Sequence, residues 1–338
     1  ELIKAGAGSV MVGHIAMPAY QKHFNPKFPE KLVPATLSPE LLQGLLRGKL
    51  GFNGLIVTDS TCMVGFSSAM ERARAVPYSI EAGCDMFLFN KDLNEDYGFM
   101  LDGYKSGILS ENRLNEALAR ILGTKAALGL HKKKNEEIVS EKSALEILGC
   151  EQHIEWAREC ADNAVTLVKD TQNLLPLSSE EHKRVLLETL GNFPSNERVT
   201  KYFAELLKKE DFDVELYERE NFETAKFDVK TFREKYDLVI YLGNVENASN
   251  KVTNRLDWFT FWGNGNNVPW FVKERPALFI SLANPYHLVD VPMIKTYINA
   301  YSNNNFVLDA VMEKIIGRSD FKGKSPVDAF CGKEYLKW

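Results

Sequence analysis

The sequence predicts an α/β protein of two domains, and three observations carry that expectation. From residue 1 to about 130, short apolar runs alternate with longer amphipathic stretches, the pattern of parallel βαβ units. Residues 131–143 are polar and charged with little periodicity, and mark a boundary. Beyond them, further strand-like runs separated by helices predict an open layered α/β/α sheet. The 338 residues, 45% of them hydrophobic, suffice for two ordinary cores.

In the first domain, Ser9-Val-Met-Val-Gly-His14 reads as a strand. Residues 38–49 read as a helix opened by Ser38 with Pro39 at its first position. Residues 54–58 form a second strand, 69–82 a helix, and Asp85-Met-Phe-Leu-Phe89 a third strand. Helices over 92–105 and 110–128 follow. In the second domain, apolar residues at helical spacing run from Glu151 to Val168. Strands are expected at Val185–Leu187, Val214–Tyr217, Leu238–Leu242 and Ala277–Leu282, with a shorter one at Thr296–Asn299. Helices are expected around 196–209 and 305–316. The resulting division is 1–130, a linker over 131–150, and 151–338.

Composition excludes several functions. The net charge is −5, and the basic run Lys132-Lys133-Lys134 is followed at once by Glu136 and Glu137, so no nucleic-acid face is expected. No stretch approaches the ~18 apolar residues that cross a bilayer, and no signal peptide opens the chain, so a cytoplasmic location is expected. The chain starts at Glu1, inside what reads as a helix, which suggests an original amino terminus farther upstream. Five cysteines without paired spacing read as reduced thiols, and six scattered histidines give no metal set. Gly263-Asn-Gly265 lacks the setting of a phosphate loop, and no cofactor is expected.

The candidate for chemistry is Asp59. The apolar run Leu55-Ile56-Val57 delivers this carboxylate at its carboxyl end, where α/β barrels carry their reacting groups. A cap for the following turn is the alternative role. The second domain shows no carboxylate or histidine in a catalytic motif and reads as scaffold; its aromatic cluster Trp258-Phe-Thr-Phe-Trp262, with Trp270 and Phe271, either stacks on sugar or packs internally.

Several blocks resemble glycoside hydrolase family 3, and within it the β-N-acetylglucosaminidase branch. They are Val10-Met-Val-Gly-His-Ile-Ala-Met-Pro-Ala-Tyr20, Pro34-Ala-Thr-Leu-Ser38, Leu46–Asp59 and Ala82-Gly-Cys-Asp-Met86, then Asn163–Asp170, Leu174-Leu-Pro-Leu177, Ser281-Leu-Ala-Asn-Pro-Tyr286 and Gly323-Lys-Ser-Pro-Val327. The resemblance implies strands six to eight of a (β/α)8 barrel followed by the family's sandwich domain. It implies a retaining hydrolase releasing terminal β-linked N-acetylglucosamine from cell-wall or chitin oligosaccharides, with Asp59 as nucleophile. Ser60 stands where the β-glucosidase branch carries Trp, and Met63 follows four positions beyond Asp59; that pattern is similar to the N-acetylglucosaminidase branch. His14 and Met63 are the implied substrate-binding residues; a hydrogen-bonded structural histidine and simple packing are their alternatives.

The family's sugar-binding Lys-His pair and His-Asp acid/base dyad would lie before Glu1. Three strands cannot close the barrel, so a companion polypeptide or segment carrying the rest is the expected partner. Phosphorolysis, β-glucosidase activity, and a carbohydrate-binding module without the acid/base are the alternatives.

Overall fold

The computed structural model describes residues 1–24, 33–133, 142–191, 195–217, 228–247, 253–256, 258, 260–261, 264–265 and 267–338. The chain divides into two compact units, Glu1–Glu141 and Lys142–Trp338. Both are built from helices and sheet.

In the first unit three parallel strands, β1 (Ser9–Val12), β2 (Leu55–Ser60) and β3 (Met86–Leu88), lie in chain order. Ser9 pairs with Leu55, and Val57 with Met86. The connections are helical, as parallel pairing requires. They comprise α1 (Pro18–Phe24), α2 (Glu40–Lys49), α3 (Val64–Ser67) and α4 (Arg72–Ala82). After β3 come α5 (Leu93–Lys105) and α6 (Glu111–Ala127). Asp92 caps α5 by accepting the Glu95 N–H at 2.8 Å, and Ser110 caps α6. Helix α2 is wide: the Leu50 N–H reaches back five residues to the Leu45 carbonyl at 2.8 Å.

The period of two along a strand assigns side chains to faces. Val12 and Ile56 are buried with Leu42, Phe52, Ile80, Leu109 and Ala117 in a core shared by sheet and helices. Met11, paired with Val57 on the opposite parity, stays 62% exposed. Asp59 shares the parity of Leu55 and Val57. At the amino-terminal end of the sheet, Asp85 is fully buried and accepts hydrogen bonds from Arg47 Nη2 (2.6 Å), Arg113 Nη2 (2.6 Å) and the Ile56 N–H (2.9 Å). This ties β2 to the approach to β3.

The second unit has a six-stranded mixed sheet in the order β4-β11-β10-β7-β5-β6 and a two-stranded ribbon, β8 (Thr260–Phe261) with β9 (Asn264–Gly265). The strands are β4 (Thr166–Asp170), β5 (Arg184–Gly191), β6 (Asp213–Leu216), β7 (Leu238–Asn244), β10 (Ala277–Ser281) and β11 (Thr296–Asn299). All neighbours are parallel except β4 and β11. Every residue of β7 is buried, as a central parallel strand demands. Leu238, Ile240 and Leu242 join one core with residues of α7 (Glu151–Ala164), α8 (Ser195–Lys209) and α10 (Asn305–Ile315). Val239 and Tyr241 join a second core with Phe232 of α9 (Val229–Lys235), so the sheet is covered on both faces.

Two local expectations need correction. The helix expected to run through Val168 ends at Ala164, where Val165 turns to φ −58°, ψ 125°, and Thr166–Asp170 pairs with β11 instead. The apolar spacing over that stretch suits either period; the β-branched Thr166 and Val168 and the waiting sheet edge decide it. Glu1–Ala5 forms a single turn, closed by Ala5 N–H to Glu1 O at 2.9 Å and ended by Gly6 at φ +91°. His23 lies exposed on the last turn of α1.

Candidate active site

Strand β2 carries Asp59 to its carboxyl end, where the side chain is half-buried and accepts the Ser60 N–H at 2.7 Å. The backbone that follows is held at each residue. The Ser60 carbonyl accepts from His14 Nε2 at 2.9 Å and from the Met63 N–H at 3.0 Å. Thr61, fully buried, donates its N–H to Leu88 O and its hydroxyl to Phe89 O, both at 2.6 Å. Arg72 donates to the Thr61 carbonyl and hydroxyl, each at 3.1 Å. The same guanidinium grips Asp96 in bidentate fashion, at 2.7 and 2.6 Å. That pair, first among the influences on Arg72, raises its pKa.

The three expected site residues fall close together. His14 follows β1, two residues past its end, and its Nδ1 meets Thr36 Oγ1 at 2.9 Å. Its ring tilts against Phe66, with centroids 5.2 Å apart. Met63, half-buried, immediately precedes α3, and its carbonyl accepts from Phe66 N–H and Ser67 N–H at 3.1 Å. Met63 and His14 therefore share one acceptor, the carbonyl of Ser60, the residue that follows Asp59. A Cβ at Gly65 would come within 2.9 Å of His14 Cβ and 3.0 Å of its carbonyl oxygen, so the absence of a side chain there lets α3 approach the His14 backbone.

Sequence reasoning missed Thr61, Arg72 and Asp96. Asp96 lies 24 residues beyond Arg72, and no local pattern links them. A concavity of about 500 Å³ lined by Asn53, Glu116, Arg120 and Thr124 lies toward the amino-terminal end of β2, away from Asp59. Among the described residues no cluster of His, Cys, Asp or Glu has a metal-holding arrangement, and no helix is long and apolar enough to cross a membrane.

The remaining histidines lie elsewhere. His287 is buried in the second unit, its Nδ1 on Ser281 Oγ at 2.9 Å, and His153 stacks on Trp156. Trp258 packs edge-on against Tyr241, with centroids 6.2 Å apart, and Phe271 is buried. Trp262, offered from the sequence as a sugar-stacking residue, lies outside the described residues.

Residues 1–124 match the sequence model of the glycosyl hydrolase family 3 N terminal domain. This part of the chain belongs to glycosyl hydrolase family 3. Similarity to a known protein extends past residue 124: the "Beta-N-acetylglucosaminidase/beta-glucosidase" of Cellulomonas fimi is 41% identical over 339 aligned positions, covering 98% of this chain. The solved structure of "Beta-glucoside phosphorylase BglX" is 42% identical, with a TM-score of 0.90 over 99% of the chain. A family 3 β-N-acetylglucosaminidase from Paenibacillus sp. str. FPU-7 shares the fold, at 21% identity and a TM-score of 0.70, over 97% of this chain and 59% of its own. The chain spans 59% of the Cellulomonas protein and 60% of the phosphorylase.

Proposed function

We propose that the protein carrying this chain is a retaining family 3 glycosidase that releases terminal β-linked N-acetylglucosamine, with Asp59 as its nucleophile. The observation that carries the reading is the placement of Asp59: a half-buried carboxylate at the carboxyl end of a parallel strand, on a backbone held at Ser60 and Thr61. An ionised carboxylate there can attack the anomeric carbon as the bond to the leaving oxygen breaks, forming a glycosyl ester. Water then attacks the same carbon, expels the carboxylate, and leaves the configuration retained. The leaving oxygen takes its proton from a general acid that these residues do not supply.

A companion polypeptide or segment supplies that acid in this reading and pairs with the outer edges of β1 and β3, which have no strand partner among the described residues. Met11 at 62% and Phe89 at 65% exposure give such a partner apolar area to cover. In this reading β1, β2 and β3 are the last strands of a family barrel and the second unit is the family's sandwich. Met63 is retained as a residue beside the sugar. His14, with both ring nitrogens already on protein partners, is better suited to a supporting role. The five free cysteines support a reducing, cytoplasmic setting, which cell fractionation would test.

A second reading has a specific basis. The likeness to a protein described as a β-glucoside phosphorylase favours phosphate in place of water in the second step, on a glucoside. One set of assays separates these outcomes. The intact protein and its Asp59→Ala variant are given aryl N-acetyl-β-glucosaminide and aryl β-glucoside, each with and without phosphate. Free N-acetylglucosamine supports the main reading, and a sugar 1-phosphate supports the second. Loss of the nucleophile removes several powers of ten in rate, each ~1.4 kcal/mol of barrier, in either case. Unchanged turnover by Asp59→Ala rejects both.

A further inference from the structure

We infer that His14 and Arg72 are positioning residues: from the flanks of β1 and β3 they clamp the two peptide units after Asp59 and set the carboxylate's direction without touching the sugar. The inference rests on the reading of Asp59 as nucleophile. It differs from the sequence-based expectation that His14 binds substrate.

The hydrogen-bond inventory supports it. A carbonyl oxygen only accepts, so the 2.9 Å contact to Ser60 O requires the proton on His14 Nε2. In the neutral ring Nδ1 is then an acceptor, taking the hydroxyl proton of the buried Thr36 at 2.9 Å. Both nitrogens are thereby engaged with protein. The second acceptor site on Ser60 O goes to the Met63 N–H, so this peptide unit is anchored from two directions. Phe66 packs against the ring, and Gly65 lets α3 come close to the His14 backbone.

On the other flank, four N–H contacts of Arg72 are made within the protein, two to Asp96 and two to Thr61. The Asp96 side chain is fully buried, and that of Arg72 is 16% exposed. Asp96 also accepts the Lys91 N–H at 3.0 Å, so the guanidinium is braced before it reaches Thr61. Thr61 in turn bonds the backbone just beyond β3. With the backbone that follows it anchored at Ser60 and Thr61, the Asp59 carboxylate has little freedom to swing. Nucleophilic attack is sensitive to such freedom, since a displacement of ~1 Å can cost about 100-fold in rate.

The test uses the intact protein and an aryl glycoside that it turns over. His14→Asn withdraws the donor from Ser60, and the expected result is a fall in kcat of about 10-fold or more with KM within about twofold. His14→Gln places an amide N–H near the lost Nε2 and is expected to recover most of that loss. Arg72→Lys, which cannot hold Asp96 and Thr61 together, is expected to lower kcat in the same way. If Arg72→Lys does not fold, Thr36→Val supplies the second measurement: it frees the His14 ring, and a fall in kcat at unchanged KM is again expected. A rise in KM with kcat preserved in His14→Asn would make His14 a sugar contact and overturn the inference, as would wild-type kinetics in both His14→Asn and Thr36→Val. Asp59→Ala is assayed beside them. If it stays active, the nucleophile reading fails and this inference fails with it; if it is inactive while the clamp variants behave as wild type, only the clamp is refuted.

Discussion

Replacing Asp85 by Asn should destabilise the first unit more than other single changes of equal volume. The Asp85 carboxylate is fully buried and uses both oxygens: Oδ2 on Arg47 and the Ile56 N–H, Oδ1 on Arg113, with Arg120 at 3.5 Å. The facing side chains of Arg47 and Arg113 are only 10% and 5% exposed, so water cannot replace the lost charge. Burial already lowers the pKa of Arg47, and Asp85 is the group that opposes this. Glu116 also meets Arg113 and Arg120, but at 55% exposure it is screened by solvent. Breaking a buried pair by removing one partner typically costs about 3–5 kcal/mol, against about 5–15 kcal/mol for a whole domain. Asn keeps the shape, so the loss measured is electrostatic, and Asp85→Ala should lose at least as much. Urea denaturation followed by far-UV circular dichroism suits the unit, which contains no tryptophan. Amide exchange at Ile56 should quicken in parallel. A loss below about 1 kcal/mol for Asp85→Asn, with Ile56 still protected, would refute the reasoning.

Two further outcomes follow from the second unit and the thiols. Hydrogen bonds from Lys314 and then Lys322 hold the Asp162 carboxyl down at about 2, against an ordinary 3.8. Its contribution is therefore complete above pH ~4 and is lost as pH falls toward ~2, and solvent around the partly exposed carboxylate and Lys322 screens its size. Asp162→Asn should flatten the stability profile in that window, and an unchanged profile between wild type and variant would contradict the assignment. Among the cysteines, Cys62, Cys160 and Cys331 are exposed, whereas Cys84 is buried and its thiol is pushed up to about 12 by that burial. Iodoacetamide should label the exposed three in the native protein and reach Cys84 only on unfolding; equal rates by mass spectrometry would show that the core around Cys84 opens readily.

Much of the architecture is legible along the chain because burial writes a local period into it. The run Leu55-Ile56-Val57, opened by Gly54, reads as a short strand, and β2 lies there with Ile56 buried and its neighbours half-buried. β11 lies at Thr296–Asn299, where a short strand is expected. Helices α5, α6 and α8 begin and end within a residue or so of their expected limits, since caps such as Asp92 and Ser110 are themselves local. Where the period is shared by helix and strand, as from Ala164 to Asp170, local reading overran the true boundary.

Asp59, His14 and Met63 are each visible in the sequence as residues at or near a strand end. That His14 and Met63 share the carbonyl of Ser60, next to Asp59, is not. Contacts between His14 and Ser60 span 46 residues, those between Arg72 and Asp96 span 24, and Asp85 gathers arginines from two helices. Side-chain periodicity determined which face of each element is apolar and that a carboxylate would stand at the tip of β2. Only the parallel registers β1 with β2 and β2 with β3 decided which groups surround that tip, because hydrogen bonds depend on ångström separations that pairing between distant segments creates and local spacing does not record.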